Sequence, residues 1–303
     1  MATLDFKADA TTFKAENALY LATASDIAYL RTQEEIKAHA ASDLGLDEAF
    51  GFFNIKHPVL DEDTQAFAAC NATHAVISFR GTQEWNDWMT NLSATPAKFR
   101  WFFTHADDIG NVHAGFSHGL CDCWKEIDAW LEQNVKGTTR TLWFTGHSLG
   151  AALAALAAAV CSFDVHLPVS GLYTFGQPRI GQQDFCMSLD YKIRSRYFRF
   201  VNRHDLVPRV PFRGWDYSDC GQMIHFDLDP TVPPSVQSVT WRNFLSRSIE
   251  SFKDVFEMVA DARADIADHS LRKKDDTAPP GYIDSLTTHL AYLGSNSFLK
   301  TLS

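Results

Sequence analysis

Between residues 141 and 160 the chain passes from an apolar stretch, Thr141-Leu142-Trp143-Phe144, through Thr145-Gly146-His147-Ser148-Leu149-Gly150, into a run built almost wholly of Ala and Leu. This order constrains the fold more than any other segment. A strand followed by Gly-x-Ser-x-Gly and a helix of small side chains predicts a sharp strand-to-helix turn, with the helix packed close against a sheet. A serine hydroxyl is a poor nucleophile at neutral pH and needs geometry and a neighbouring base to activate it. The turn lifts the Ser148 oxygen clear of the sheet, and the flanking glycines are required because a Cβ there would collide with strand and helix. The helix that follows directs its N-terminal N–H groups and positive dipole end at a developing oxyanion. Read this way, the segment carries the nucleophile of a serine hydrolase.

The chain has 303 residues, of which 46% are hydrophobic, enough for a sizeable core. No linker divides it, so a single α/β domain spanning residues 1–303 is expected. The net charge of −10 argues against nucleic-acid partners and against general attraction to anionic membranes, while leaving neutral lipid open. The longest apolar run, Ala151 to Cys161, is far too short for a transmembrane segment. The N-terminal residues lack an apolar signal core, so a cytoplasmic location is expected, with export by another route left open. Six cysteines (Cys70, Cys121, Cys123, Cys161, Cys186 and Cys220) are scattered through expected strands and helices and are read as free buried thiols. Cys121-Asp122-Cys123 points its two thiols apart on a helix, so no metal is expected there, and the chemistry calls for no cofactor.

Residues from about 11 to 42 read as helical. Strand-like runs follow at 52–56, 64–69 and 75–79, the last two joined by the turn Asn71-Ala72-Thr73 as in a hairpin. A helix is expected over 84–92 and another over 114–134, ended by Gly137. Further strands are expected at 170–175 and 197–201. Strands alternating with helices imply a mostly parallel sheet covered on both faces, with the early hairpin at one edge and reactive groups at the strands' carboxyl ends. From Thr240 to Ala260 the apolar residues follow a helical period, giving either a substrate-facing lid or cap or a helix packed on the core. A polar insert, Arg272 to Gly281, precedes a last helix over 282–293.

A serine nucleophile needs a histidine to take its proton and a carboxylate to orient that histidine. In hydrolases of this topology the carboxylate and then the histidine follow the serine in the chain. Asp205 stands out, just past an expected strand and ahead of the stiffening Pro208 and Pro211. His225 lies in a strand-like run, His269 in a loop, and His289 inside the last helix, so the residues themselves leave the base open.

Several motifs in one order carry a resemblance. They are Phe79-Arg80-Gly81-Thr82 with Asp87-Trp88 and Asn91, Val112-His113-Ala114-Gly115-Phe116, the Ser148 elbow, Tyr173-Thr174-Phe175-Gly176-Gln177-Pro178-Arg179-Ile180-Gly181, and Phe200-Val201-Asn202 with Asp205-Leu206-Val207-Pro208. Over roughly residues 15 to 290 the chain resembles the class 3 lipases, which include the fungal triacylglycerol lipases. The resemblance implies an α/β-hydrolase fold with a mostly parallel central sheet, helices on both faces and a helical lid or cap. It also implies Ser148 as nucleophile, Asp205 as the orienting carboxylate, and the backbone N–H groups of Leu149 and Thr82 as oxyanion hole. Arg80 then becomes a structural anchor. Asp268-His269-Ser270-Leu271 matches one histidine pattern of the family, with Tyr282-Ile283 displaced downstream by the insert. His289-Leu290-Ala291-Tyr292-Leu293-Gly294 matches the fungal one. His269 is favoured because a loop position is easier to aim at Ser148 than a helix interior. No role is assigned to Asp219, where many relatives carry His, and His118, His147 and His204 are read as local hydrogen-bonding residues.

The expected activity is hydrolysis of acyl glycerol esters through an acyl-enzyme. Trp85, Trp88 and the run Phe99-Arg100-Trp101-Phe102-Phe103 are read either as a surface making transient contact with a lipid–water interface or as a buried packing cluster. A phospholipase A1, a short-chain esterase and a feruloyl esterase are the alternatives among enzymes, and a catalytically silent lipase-fold scaffold is the alternative outside them.

Overall fold

The computed structural model describes residues 3–56, 63–82, 95–103, 108–211, 213–227, 229, 231–237, 269–275, 278 and 280–299. In chain order the elements are α1 (Ala15–Ile27), α2 (Gln33–Leu44), β1 (Ala49–Lys56), β2 (Asp63–Cys70), β3 (His74–Phe79), β4 (Pro96–Lys98), β5 (Asn111–His113) and α3 (Ala114–Asn134). There follow β6 (Thr141–His147), α4 (Leu149–Phe163), β7 (Val169–Phe175), β8 (Gly181–Gln182), α5 (Gln183–Ile193), β9 (Tyr197–Asn202), β10 (Tyr217–Ser218), β11 (Gln222–Phe226), β12 (Ser235–Gln237), α6 (Tyr282–Leu293) and α7 (Asn296–Leu299).

Eight strands form the central sheet in the order β1-β2-β3-β6-β7-β9-β11-β12. The five strands from β3 to β11 run parallel, and antiparallel pairings close both edges, β1-β2-β3 at one and β11-β12 at the other. A second, four-stranded sheet has the order β10-β8-β5-β4. Parallel strands covered on both faces carry apolar side chains in both directions. In β6, accordingly, Leu142 and Phe144 enter one core and Trp143 the other. The first core packs α3, α4 and α5 on the sheet, with Phe79, Phe116, Leu120, Ile127 and Phe185 at its centre. The second packs α1, α2, α6 and α7 on the opposite face, around Phe13, Tyr20, Tyr173, Phe198 and Leu286. This arrangement is the α/β-hydrolase fold.

Helix α4 is buried along its length, with only Leu149 and Ser162 partly exposed. Only Ala, Gly and Cys among its smaller side chains let it lie in van der Waals contact with β3, β6, β7 and α3 at once, which is why the run reads Ala-Ala-Leu-Ala-Ala-Leu-Ala-Ala-Ala.

Two expectations are corrected. The continuous helical reading of residues 11 to 42 gives way to two helices. Thr32 accepts from the Glu35 N–H and the Glu35 carboxylate accepts from the Thr32 N–H, a capping box that starts α2 and breaks the run. Cys186 and Cys220 form a disulfide with Cα atoms 4.8 Å apart, so the reading of all six cysteines as thiols is wrong for this pair. Neighbouring α5 and the segment before β11 bring together two residues 34 positions apart, which spacing alone does not show. Cys70, Cys121, Cys123 and Cys161 are free. The expected helices over 84–92 and 240–260, with Trp85 and Trp88, lie outside the described residues.

Overpacking tests the role of small residues on α4. Ala155→Leu is expected to destabilise the protein by about 1–3 kcal/mol. It should lower the urea midpoint with an unchanged m-value, because the folded state loses packing and the extent of unfolding stays the same.

Candidate active site

Three neighbouring parallel strands deliver the site from their carboxyl ends. β6 ends at His147, and Ser148 follows with φ 58° and ψ −128°, a strained backbone that turns the chain from strand into α4. The Ser148 N–H is held by the Phe175 carbonyl at the end of β7, 3.0 Å away. A Cβ on Gly150 would strike the Phe79 and Arg80 carbonyl groups, and one on Gly146 would strike the Gly150 backbone, so both glycines are steric necessities. Ser148 is fully buried, and its Oγ has no hydrogen-bond partner among the described residues. Leu149 opens α4, so its amide belongs to the first turn, where N–H groups have no intrahelical acceptor. On the other side, Gly81 lies so close that a Cβ on it would meet the Ser148 Cβ at 3.1 Å. Thr82 is the next residue along.

β9 ends at Asn202, and the turn that follows bonds the Asp205 N–H to the Asn202 carbonyl at 2.9 Å. Asp205 is fully buried. Its Oδ1 accepts from the Val207 N–H at 2.9 Å, and its Oδ2 accepts from the His269 Nδ1–H at 2.8 Å and from the Tyr282 hydroxyl. Gly176, at φ 59°, follows β7 beside this pair. A Cβ there would lie 2.7 Å from the His269 ring and 2.9 Å from Asp205 Oδ2. Neither Tyr282 nor Gly176 is marked as a site residue by the sequence reading. The glycine was visible inside the Tyr173–Gly181 motif, whereas the tyrosine's contact depends on how the insert folds.

The insert is bridged by a helix start. Tyr282 and Ile283 donate their N–H groups to the Ser270 and Leu271 carbonyls at 3.0 and 2.9 Å, which uses the first amides of α6 and fastens the His269 segment to it. Asn202 continues the attachment, donating to the Pro280 carbonyl at 2.9 Å and accepting from the Ser285 hydroxyl at 2.8 Å. The His269 carbonyl accepts from His147 Nε2 at 2.6 Å, and the two rings sit 4.4 Å apart between centroids. Of the other histidines considered, His289 stacks on Phe226 within the second core and His225 bonds the Arg203 carbonyl at 2.8 Å. The structure thus joins His269 to Asp205, sets the His269 segment against His147 next to Ser148, and gives His225 and His289 other partners.

Asp219, to which the sequence reading gave no role, anchors the loop that carries Asp205. It is buried with Arg179, Arg199 and Arg213, at 3.1 Å from Arg179 Nε and 3.5 Å from Arg199 Nη2, and in direct contact with Arg213. Arg179 in turn donates its side chain to the Arg209 and Pro211 carbonyls and its N–H to the Val210 carbonyl, gripping the segment just after Asp205. Burial alone would raise the Asp219 pKa, but the three guanidiniums outweigh it and hold the carboxyl far below the usual range. Burial lowers Arg179 to about 10, which leaves it charged at neutral pH. Arg80 has an anchoring environment too, donating to Gln65 Oε1 with its guanidinium 5.8 Å from the Tyr29 ring centroid.

The model of the family described as lipase (class 3) matches residues 76–215, a range that contains Thr82, Ser148, Leu149 and Asp205 and ends before His269. The chloroplastic phospholipase A(1) DAD1 of Arabidopsis thaliana is 32% identical over 167 residues, covering 50% of this chain and 36% of that protein. The solved structure of the Rhizomucor miehei lipase with its propeptide superposes with a TM-score of 0.60 at 26% identity, covering 75% of this chain and 70% of that one. A triacylglycerol lipase whose catalytic centre is described as a serine protease triad superposes with a TM-score of 0.56 at 25% identity, covering 73% of this chain and 82% of that one. The chain spans only 36% to 48% of the length of the first curated relatives it matches. Fold and strand-end geometry define an α/β-hydrolase. Within that class, residues 76–215 match the class 3 lipase family, and the chain is similar to its members in sequence and fold.

Replacing Asp219 tests the anchor. Removing one partner of a buried ionic cluster costs about 3–5 kcal/mol, so Asp219→Asn is expected to lose that much stability at pH 7. Because folding depresses the carboxyl, its stabilisation is complete above the unfolded pKa of about 4 and is lost as pH falls below it. Urea unfolding across that range should show a steep acid limb in the wild type and a shallower one in the variant.

Proposed function

We propose that the protein is a carboxylic ester hydrolase that cleaves acyl glycerol esters through an acyl-enzyme. The observation that carries this reading is the His269–Asp205 hydrogen bond of 2.8 Å beside a buried serine held at positive φ. In the proposed reaction, His269 Nε2 takes the proton of Ser148 Oγ as that oxygen bonds to the ester carbonyl carbon. Asp205, acceptor for His269 Nδ1–H, fixes the ring with Nε2 turned away from the carboxylate and stabilises the imidazolium that forms. Charge gathers on the former carbonyl oxygen, where the amides of Leu149 and Thr82 would hold it. His269 then passes its proton to the departing glycerol oxygen as the carbon–oxygen bond breaks, leaving the acyl group on Ser148. Water, deprotonated by the same base, releases the fatty acid and restores the serine. No step needs a cofactor. The whole chain is read as one domain, a reading supported by both apolar cores packing on a single sheet.

The second reading, a phospholipase A1, is favoured by the similarity to a plant protein of that name. It uses the same chemistry on a glycerol ester that bears a phosphate head group. Among the described residues no helix is long and apolar enough to cross a membrane, and contact with a lipid surface is proposed as transient.

A fluorophosphonate probe is expected to label the wild-type chain and to leave Ser148→Ala unlabelled. Equal labelling of both would overturn the assignment. His269→Ala is expected to lower kcat on a p-nitrophenyl ester by about 10⁶-fold. His289→Ala should instead cost stability, about 1–3 kcal/mol, from lost packing on Phe226. Emulsified di- and triacylglycerols set against phosphatidylcholine then separate the two substrate readings.

A further inference from the structure

Two hydrogen bonds with one consistent direction run in a line from Tyr29, which lies against Gly81, through His147 to the His269 segment. At their far end is the His269 carbonyl, which can only accept, so the His147 nitrogen 2.6 Å away, Nε2, carries a proton. His147 is buried, and burial together with the neighbouring His269 holds its pKa well below the ordinary imidazole value. In that neutral ring Nδ1 is a bare lone pair. Its partner at 2.9 Å, the Tyr29 hydroxyl, must then donate to it. The Tyr29 oxygen lies against Gly81, so close that a Cβ there would meet the hydroxyl. Each role follows from the fixed carbonyl.

The ends of this line are the two parts of the site that the strands do not position. Ser148 is set by β6 and α4, and Asp205 by the end of β9. The His269 segment and the loop before Thr82 are irregular backbone, and Tyr29 lies just past α1, whose helix caps neither of them. Asp205 grips only the ring of His269. The carbonyl of the same residue is gripped by His147, so ring and backbone are both fixed. We propose that Tyr29 and His147 are positioning residues that lock the base segment and the oxyanion loop into one unit around Ser148. This rests on the hydrolase reading above and extends it to two residues outside the proposed triad.

The test is a double-mutant cycle on the full chain, with kcat and KM for a soluble p-nitrophenyl ester and a thermal melt for each variant. Tyr29→Phe removes the donor and orphans the His147 Nδ1. It is expected to lower kcat about tenfold, the equivalent of one buried hydrogen bond, with KM within about twofold. His147→Leu should lower kcat further. His147→Gln should recover part of that loss, because its amide N–H can still reach the His269 carbonyl. In the His147→Leu background Tyr29 has lost its acceptor, so adding Tyr29→Phe should change kcat no further. Should His147→Leu not fold, the His147→Phe background completes the cycle. Independent, multiplying effects of the Tyr29 and His147 substitutions would overturn the proposal, as would an unchanged kcat in Tyr29→Phe or a loss confined to KM. A wild-type chain without Ser148-dependent hydrolysis overturns the hydrolase reading and this inference together. Ser148-dependent hydrolysis with multiplying effects overturns this inference alone.

Discussion

A carboxylate shut away from water must collect donors, and Asp205 collects them from three separate parts of the chain. Val207 supplies a backbone N–H from the same loop, His269 a ring N–H from a segment 64 residues on, and Tyr282 a hydroxyl from the start of α6. Each donor offsets part of the cost of holding the charge in the interior, and removing one would leave that cost exposed. The same bonds dictate geometry. His269 can satisfy Asp205 only with Nδ1 facing it, and Tyr282 can do so only if α6 begins where it does. The C-terminal part of the chain is therefore tied to the site by a buried charge as well as by its apolar face.

Around this point the molecule divides the task of positioning. The parallel strands fix Ser148 and Asp205 through β6 and β9, and the alanine-rich α4 lets the elbow sit tight against β3 and β7. The loop beyond Asp205 is held from outside by Arg179, itself held by Asp219. The His269 segment is held by α6, whose first amides donate to the Ser270 and Leu271 carbonyls. The disulfide between Cys186 and Cys220 fastens α5 beside Asp219. Rigid scaffold and irregular loops meet at one buried place, as a preorganised site requires.

How much of this could be read beforehand follows from the range of each interaction. The elbow, β6 and α4 are contiguous in sequence, so their pattern announces itself. Asp205 stood out because a strand, an acid and two prolines fall within a few residues. The end of α1 was missed even though Thr32 and Glu35 spell a capping box, because the apolar residues on either side continue a helical period through it. The remaining misses are contacts between distant segments. Asp219 looks like an ordinary loop acid until Arg179, Arg199 and Arg213 are folded around it. Tyr29, Gly176 and Tyr282 carry no local mark of their partners. The polar insert hides the spacing between His269 and Tyr282, which left two histidine patterns standing. In the fold, one histidine meets Asp205 and the other meets Phe226.

Ser148, His269 and Asp205 are proposed to act as one unit, with the Leu149 and Thr82 amides facing the reacting oxygen. A crystal structure of the chain after reaction with an alkyl phosphonate ester tests it most directly, because the phosphonyl group copies the tetrahedral intermediate. Phosphorus is expected on Ser148 Oγ, with its oxygen within hydrogen-bond distance of both amides. His269 Nε2 should lie beside the ester oxygens, with Nδ1 still on Asp205. An adduct on another residue, an oxygen turned away from both amides, or His269 withdrawn from Ser148 would contradict it.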